Sequence, residues 1–253
     1  MPSEFSFTPP LNNSYVFDNF VTGKANQFAH AAAVQVANSI GITCSPLFIY
    51  GGTGVGKTHL IQAIGNQYKS ENKQAKIHFV NAANYVSDVV HAYNNDRLDE
   101  FNQYYDSLDL LLIDDIERIA GKSITMRELD RTFNSLMDTK KQIVITCDTF
   151  TEDLSGIDSR LISRFSCGLS VAIEPPCLEM RVAILLQKAI TSKNSIGEDV
   201  AYFVAEHVRS DIRKLVGALN RIEAYARFHK RLITVDLAKE SIAEFCDEAE
   251  CML

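Results

Sequence analysis

Gly51, Gly52, Thr53, Gly54, Val55, Gly56, Lys57 and Thr58 spell G-x-x-x-x-G-K-[ST], a loop able to wrap phosphate groups. Phosphates concentrate negative charge, so they need backbone N–H groups converging on them, and glycine takes the required turns without steric cost. A helix that starts directly after such a loop adds the partial positive charge of its N-terminus. In this pattern Lys57 reaches the β- and γ-phosphates and Thr58 ligates Mg²⁺. The loop follows a short apolar run at 47–50 and opens a helical pattern over 59–69, which is the context the motif requires.

Such a site needs a second strand that delivers a carboxylate to the metal. The apolar run from Leu108 ends in Asp114 and Asp115. Asp114 is expected to hold Mg²⁺ through water, and Asp115 to orient or deprotonate the attacking water. The run from Gln142 ends at Asp148, which can poise that water from a neighbouring strand or serve as a turn residue. Arg160 and Arg164 lie four apart on one face of a short helix within Asp158–Phe165. They make either a solvated face or a reach to a neighbour's γ-phosphate, where one arginine is worth roughly 10³–10⁵ in rate. Arg213, at the start of a later helix, can contact the phosphates. Together the loop and the paired acids predict binding of ATP or GTP.

The elements that must position these residues are legible in the apolar pattern. Five runs, Leu47–Tyr50, Ile77–Val80, Leu108–Ile113, Ile143–Thr146 and Leu169–Ile173, are short and rich in β-branched or aromatic residues, as buried parallel strands are. Longer amphipathic segments alternate with them, which predicts a doubly wound α/β sheet. Residues 1–23 read as an extended arm, and Lys24–Ile40 as a helix. After Glu174-Pro175-Pro176 every segment has helical spacing, over Leu178–Ile190, Asp199–Arg209, Ile212–Phe228 and Val235–Phe245. The expected division is an arm at 1–23, an α/β domain at 24–175 and an all-α domain at 176–253.

Composition narrows the function classes. Of 253 residues, 46% are hydrophobic, enough for a full core and too many for a disordered chain. Twenty-five basic against 32 acidic residues leave a net charge of −7, which argues against coating duplex DNA by bulk charge. The six cysteines, at 44, 147, 167, 177, 246 and 251, form no C-x-x-C pair. They are expected to be reduced and mostly buried rather than a zinc or disulfide framework. The histidines show no ligand spacing. No basic-then-apolar leader and no run of 18 apolar residues is visible, so the expected location is cytoplasmic, with no integral membrane association.

The motifs resemble the AAA+ ATPase region of bacterial replication initiators of the DnaA family. Leu11–Phe20 followed by Gly23-Lys24 is similar to that family's lead-in, Pro46–Leu60 to its phosphate loop, and Leu111–Ile116 to its metal strand. Ser163-Arg164-Phe165 resembles its finger segment, Ile173–Pro176 its lid entry, and Ile212–Leu219 its second sensor. The likeness covers residues 11–245. It implies an AAA+ P-loop NTPase, a parallel five-stranded sheet flanked by helices plus a small all-α lid domain, with ATP or ADP and Mg²⁺ as cofactors. The lead-in would lie over the adenine, placing Phe17 and Asn19 at the nucleotide. Asp148 would be the first sensor, Arg213 the second, and Arg164 a finger acting in trans on a neighbouring subunit.

A finger in trans implies head-to-tail contacts that build an open helical filament. The segment 81–106 would be the initiator's helical insert, gripping single-stranded DNA with Val90. The resemblance thus implies a module that engages and melts origin DNA, with slow ATP hydrolysis as an off-switch, and with a replicative helicase or initiator-regulating proteins as further partners. Departures are Ile124 where many relatives have a basic residue that contacts DNA, Cys167 for a tryptophan, Glu117 for a glutamine, and Lys214 and Val216 for acids. The family's helix-turn-helix domain would follow residue 245, and an excised segment or a natural short relative both fit that length. A stand-alone regulator lending Arg164 to a full-length initiator, and a helicase loader, are the alternative functions.

Overall fold

The five apolar runs become the strands of one parallel sheet in a computed structural model that describes residues 10–41, 44–192, 196–209 and 211–242. They are β1 (Leu47–Tyr50), β2 (Ile77–Asn81), β3 (Leu110–Asp114), β4 (Gln142–Cys147) and β5 (Leu169–Ala172). The sheet order is β2-β3-β4-β1-β5. All of β3 and β4 is buried, because helices cover both faces of a parallel sheet and leave no side for polar alternation. Each such Leu, Ile or Val contributes roughly 1.5–3 kcal/mol by leaving water.

The order matters more for function than the strand count. β4 lies between the strand that enters the phosphate loop and the strand that ends in the acid pair. Tyr50 is opposite Cys147 and Ile113 opposite Ile145. Residues at the carboxyl end of β4 therefore stand between the other two motifs, at the edge where ligands bind in open parallel sheets.

The described residues divide into two compact units. The first comprises the lead-in up to Phe20, Asn26–Gly52 and Gly56–Ile173. Around its sheet run α1 (Gln27–Asn38), α2 (Lys57–Glu71), α3 (Ala82–Asn94), α4 (Leu98–Asp106), α5 (Ser123–Asp138) and α6 (Ser159–Ser166). Its core joins Phe48, Leu111, Ile113, Ile145, Phe133 and Phe165 to the inward faces of α3, α4 and α5. The lead-in is held against α2: Gln62 Oε1 accepts from Asn12 N–H at 2.8 Å, and Asn66 Nδ2 donates to the carbonyls of Asn12 and Tyr15. Within it, Phe17–Asn19 forms one 3₁₀ turn.

The second unit takes Val21–Ala25, Thr53–Val55 and the chain from Glu174 on. Its described helices are α7 (Leu178–Thr191), α8 (Glu198–His207), α9 (Ile212–His229) and α10 (Val235–Ile242), packed through Leu185, Val200, Leu215, Leu219, Ile222 and Leu237. The helix expected to reach Phe245 is described as far as Ile242, and the remainder lies outside the described residues. No described helix is long and apolar enough to cross a membrane.

One expectation needs correction. Among the four described cysteines only Cys147 is buried, while Cys167 and Cys177 are exposed and Cys44 is half-buried. Cys147 sits within β4, whereas Cys167 caps the end of α6 and Cys177 the start of α7, where side chains face solvent. Cys246 and Cys251 lie outside the described residues.

Candidate nucleotide site

The phosphate loop leaves β1 and enters α2 through two left-handed glycines. Gly56 has φ +109°, and a Cβ there would meet Phe20 Cε2 at 3.3 Å. Gly54 has φ +71°, and a Cβ would come within 2.7 Å of Asp211 Cβ. Gly54 and Val55 are buried, with Thr53 exposed beside them, and this tip belongs to the second unit. There Ile212 N–H donates to the Gly54 carbonyl at 3.1 Å, just after Asp211 caps α9 by accepting from Lys214 N–H. Arg213 is exposed in the first turn of α9.

In the first unit, Gly51 N–H donates to the Cys147 carbonyl at 3.2 Å, tying the loop's start to β4, and Gly52 is exposed. Lys57 is 5% exposed, and its Nζ donates to Gly51 O at 2.7 Å, Gly52 O at 2.9 Å and Asp148 Oδ1 at 2.6 Å. These three oxygens, one of them a carboxylate's, compensate the buried ammonium beside the N-terminus of α2. Thr58 Oγ1 donates to Asp114 Oδ2 at 2.8 Å, and Thr146 Oγ1 donates to Asp114 Oδ1 at 2.5 Å. Asp114 is 4% exposed, and burial raises its pKa, offset by the two hydroxyls.

Asp115 has φ +57°, a conformation Asp tolerates better than most residues. That turn separates it from Asp114. Its Oδ2 accepts from Asn81 Nδ2 at 3.0 Å and lies 3.7 Å from Arg118 Nε, and its N–H donates to Thr146 Oγ1 at 3.0 Å. Carboxylate oxygens of Asp115, Glu117 and Asp148 all lie within 4.8 Å of one another. Burial raises the Glu117 pKa, with the negative charges of Asp148 and Asp115 adding to it. Its Oε2 is buried without a partner among the described residues.

The structure thus brings together Lys57, Thr58, Asp114, Asp115 and Asp148. Other predicted residues have different neighbours. Phe17 packs edge-on to His30 at 5.5 Å. Asn19 donates to the Ser14 carbonyl at 2.8 Å, and its Oδ1 is buried without a partner among the described residues. Val90 projects from α3, 44% exposed, beside the fully buried Val89. Arg164 on α6 pairs with Asp130 at 2.6 Å, so it is not the freely solvated partner of Arg160 that helical spacing suggests. Sequence reasoning missed Thr146 and Asn81, whose signal is their place at the carboxyl ends of strands flanking β3.

A parallel sheet with the phosphate-loop strand and the acid strand separated by one polar-ended strand, in a chain that also carries a compact helical unit, defines a P-loop nucleotide-binding module of the AAA+ class. The family model for the bacterial DnaA ATPase domain matches residues 11–172, well over half of the chain. The chain belongs to that family. It is 56% identical over 243 residues to the chromosomal replication initiator protein DnaA of Methylobacillus flagellatus, covering 96% of this chain and 52% of the relative. It therefore spans about half the length of the curated relatives it matches. Among solved structures, domain III of the Thermotoga maritima replication initiation protein DnaA superposes with a TM-score of 0.91 at 38% identity, covering 94% of this chain and all of that one. A replication initiator DnaA bound to AMPPCP and single-stranded DNA superposes at 0.78 and 30% identity, over 88% of this chain and 70% of that one.

Proposed function

We propose that this chain is the ATP-switched assembly module of a replication initiator, acting in the cytoplasm on chromosomal DNA. The observation that carries the reading is the convergence of Lys57 and Thr58 from the phosphate loop on Asp148 and Asp114 from two other strands. Lys57 and the N–H groups opening α2 bind the phosphates, and the lead-in holding Phe17 and Asn19 covers the base. The unpartnered Asn19 Oδ1 suits an adenine, whose exocyclic amine is a donor.

The donor set around Asp114 also fits magnesium, since hydroxyl and carboxylate oxygens are the ligands hard cations take. Thr58 and Asp114 would hold the ion, which when bound neutralises phosphate charge. Asp115 accepts a proton from the attacking water, and Asp148 and Glu117 orient that water. Hydrolysis in this arrangement is slow, appropriate to an off-switch that leaves ADP.

Arg213 senses the phosphates, and Arg164 reaches the nucleotide of an adjacent subunit, so that ATP orders copies head to tail. Val90 then touches the single strand along the assembly, and the growing filament stretches and melts origin DNA. The DnaA structure bound to AMPPCP and single-stranded DNA supports this reading. Sedimentation velocity tests it, with AMPPCP or ADP, with and without oligo-dT, beside Arg164→Ala. Growth into large species with AMPPCP alone, lost in Arg164→Ala and extended by oligo-dT, is expected. A chain that stays monomeric throughout rejects self-assembly.

A further inference from the structure

The finger residue is held by a carboxylate of its own chain. Leu161 and Phe165, four apart on α6, are fully buried, and the Phe165 ring packs 5.9 Å from that of Phe48 and 5.5 Å from that of Phe133 on α5. These anchors fix α6 on α5. Asp130 precedes Phe133 by one helical turn, so the face of α5 that grips Phe165 also places a carboxylate beside the neighbouring Arg164. Arg164 Nε donates to Asp130 Oδ1 at 2.6 Å, with the two side chains 31% and 25% exposed.

The other arginines of α5 are engaged elsewhere. Arg131 donates to both oxygens of Asp106, at 3.2 and 2.6 Å, and Arg127 donates to Glu128 at 3.1 Å. Neither competes for Asp130. Arg160, one turn before Arg164, is exposed, and among the described residues its side chain forms no ion pair.

The way Arg164 is held leaves its working edge open. A guanidinium is planar, so fixing Nε fixes the plane of the whole fork. The two Nη groups make no hydrogen bond among the described residues, and this is the pair that grips two phosphate oxygens side by side. We propose that Asp130 is the positioning residue for Arg164: it sets the plane of the finger, presents its Nη edge outward, and makes Arg164 rather than Arg160 the arginine offered to the next subunit. The proposal rests on the reading that Arg164 serves a neighbour's nucleotide. Asp130 itself touches no substrate. Orientation is where the gain lies, since a misplacement of about 1 Å at a reacting group can cost on the order of 10²-fold.

Because the finger and the nucleotide it serves belong to different subunits, complementation tests the idea. Asp130→Ala and Lys57→Ala would be studied alone and mixed, by sedimentation velocity with AMPPCP. Asp130→Ala alone is expected to need about tenfold more protein to assemble than the unsubstituted chain, and Lys57→Ala alone to fail. Mixed, they are expected to form two-subunit species, because Lys57→Ala supplies a correctly held Arg164 to the intact nucleotide site of Asp130→Ala. Assembly of Asp130→Ala equal to or stronger than that of the unsubstituted chain overturns the proposal, since Asp130 is then idle or sequesters the finger. A mixture that stays monomeric overturns it too, by showing damage beyond the finger. If the unsubstituted chain does not assemble, the trans-finger reading itself fails, and that outcome is separate from the other two.

Discussion

Lys57 Nζ and Asp148 Oδ1 lie 2.6 Å apart although 91 residues separate them in sequence. The lysine opens the helix after the phosphate loop, and the aspartate follows the strand that crosses between loop and acid pair. With Gly51 O and Gly52 O completing the set, the ammonium has three oxygen partners at the start of the loop. Lys57→Ala removes a charged hydrogen-bond donor worth about 1.5–3 kcal/mol to a charged ligand. AMPPCP affinity should fall roughly 10–100-fold by isothermal titration calorimetry. Unchanged affinity would remove Lys57 from the phosphate site.

Asp114 is expected to separate charge from hydrogen bonding. Asp114→Asn keeps an acceptor for a hydroxyl but loses the charge that attracts a cation, so Mg²⁺ should cease to strengthen AMPPCP binding while the fold survives. Asp114→Val leaves the half-buried Thr58 hydroxyl and the buried Thr146 hydroxyl without this partner, at about 1–3 kcal/mol for the buried one and less for the other. Its unfolding midpoint should drop by several degrees, on the scale of about 2–4 °C per kcal/mol for a chain near this size. Equal melting of the two variants would contradict the hydrogen-bond account.

Asp115 should matter to turnover more than to binding. Asn accepts the same left-handed backbone and nearly the same shape, but it cannot take a proton. Asp115→Asn is expected to slow ATP hydrolysis by roughly 10²–10⁴-fold in single-turnover measurements, the usual range for a general base. A comparable loss in AMPPCP affinity instead would move Asp115 from the chemical step to nucleotide holding.

His78 gives the first unit an acid-sensitive element. It is buried on β2 between Tyr104 and Tyr105, whose hydroxyls lie 2.9 Å from Nδ1 and 3.2 Å from Nε2. Burial lowers its pKa from 6.5 to about 4. The unfolded chain thus binds more protons between those values, and stability falls as pH drops through that window, by on the order of 3 kcal/mol in full. Asp88 on α3, raised to about 6 chiefly by burial, acts in the opposite sense, since protonation favours its folded form. Comparing the chain with His78→Phe isolates the histidine. The difference in urea-unfolding free energy should change between pH 6.5 and 4 and be flat above 7. A difference curve flat across the window would mean that His78 titrates normally in the fold.

Much of this architecture was legible before any coordinates. Apolar runs of four to six residues located all five strands, most plainly the fully buried β3 and β4, because a strand buried on both faces has no side for polar residues. The phosphate-loop motif was equally legible, since Gly51 and Gly56 bracket it and Lys57 and Thr58 follow at fixed offsets, with Gly56 in a left-handed conformation.

What the chain order could not reveal was which distant residues meet. Thr146 bridges Asp114 and Asp115, Glu117 turns its carboxylate toward Asp115 and Asp148, and Asp130 takes Arg164 out of the solvated face its helical spacing suggests. Each contact depends on β4 inserting between β1 and β3, or on α6 docking against α5 through Phe165 and Phe133. Local steric and periodic constraints act over a few residues, so the elements and the phosphate-loop motif could be read from the chain order. The partners of the acids and of Arg164 were settled only by tertiary structure. Strand crossover and helix docking bring together side chains 30 or more residues apart, and no local pattern records that meeting.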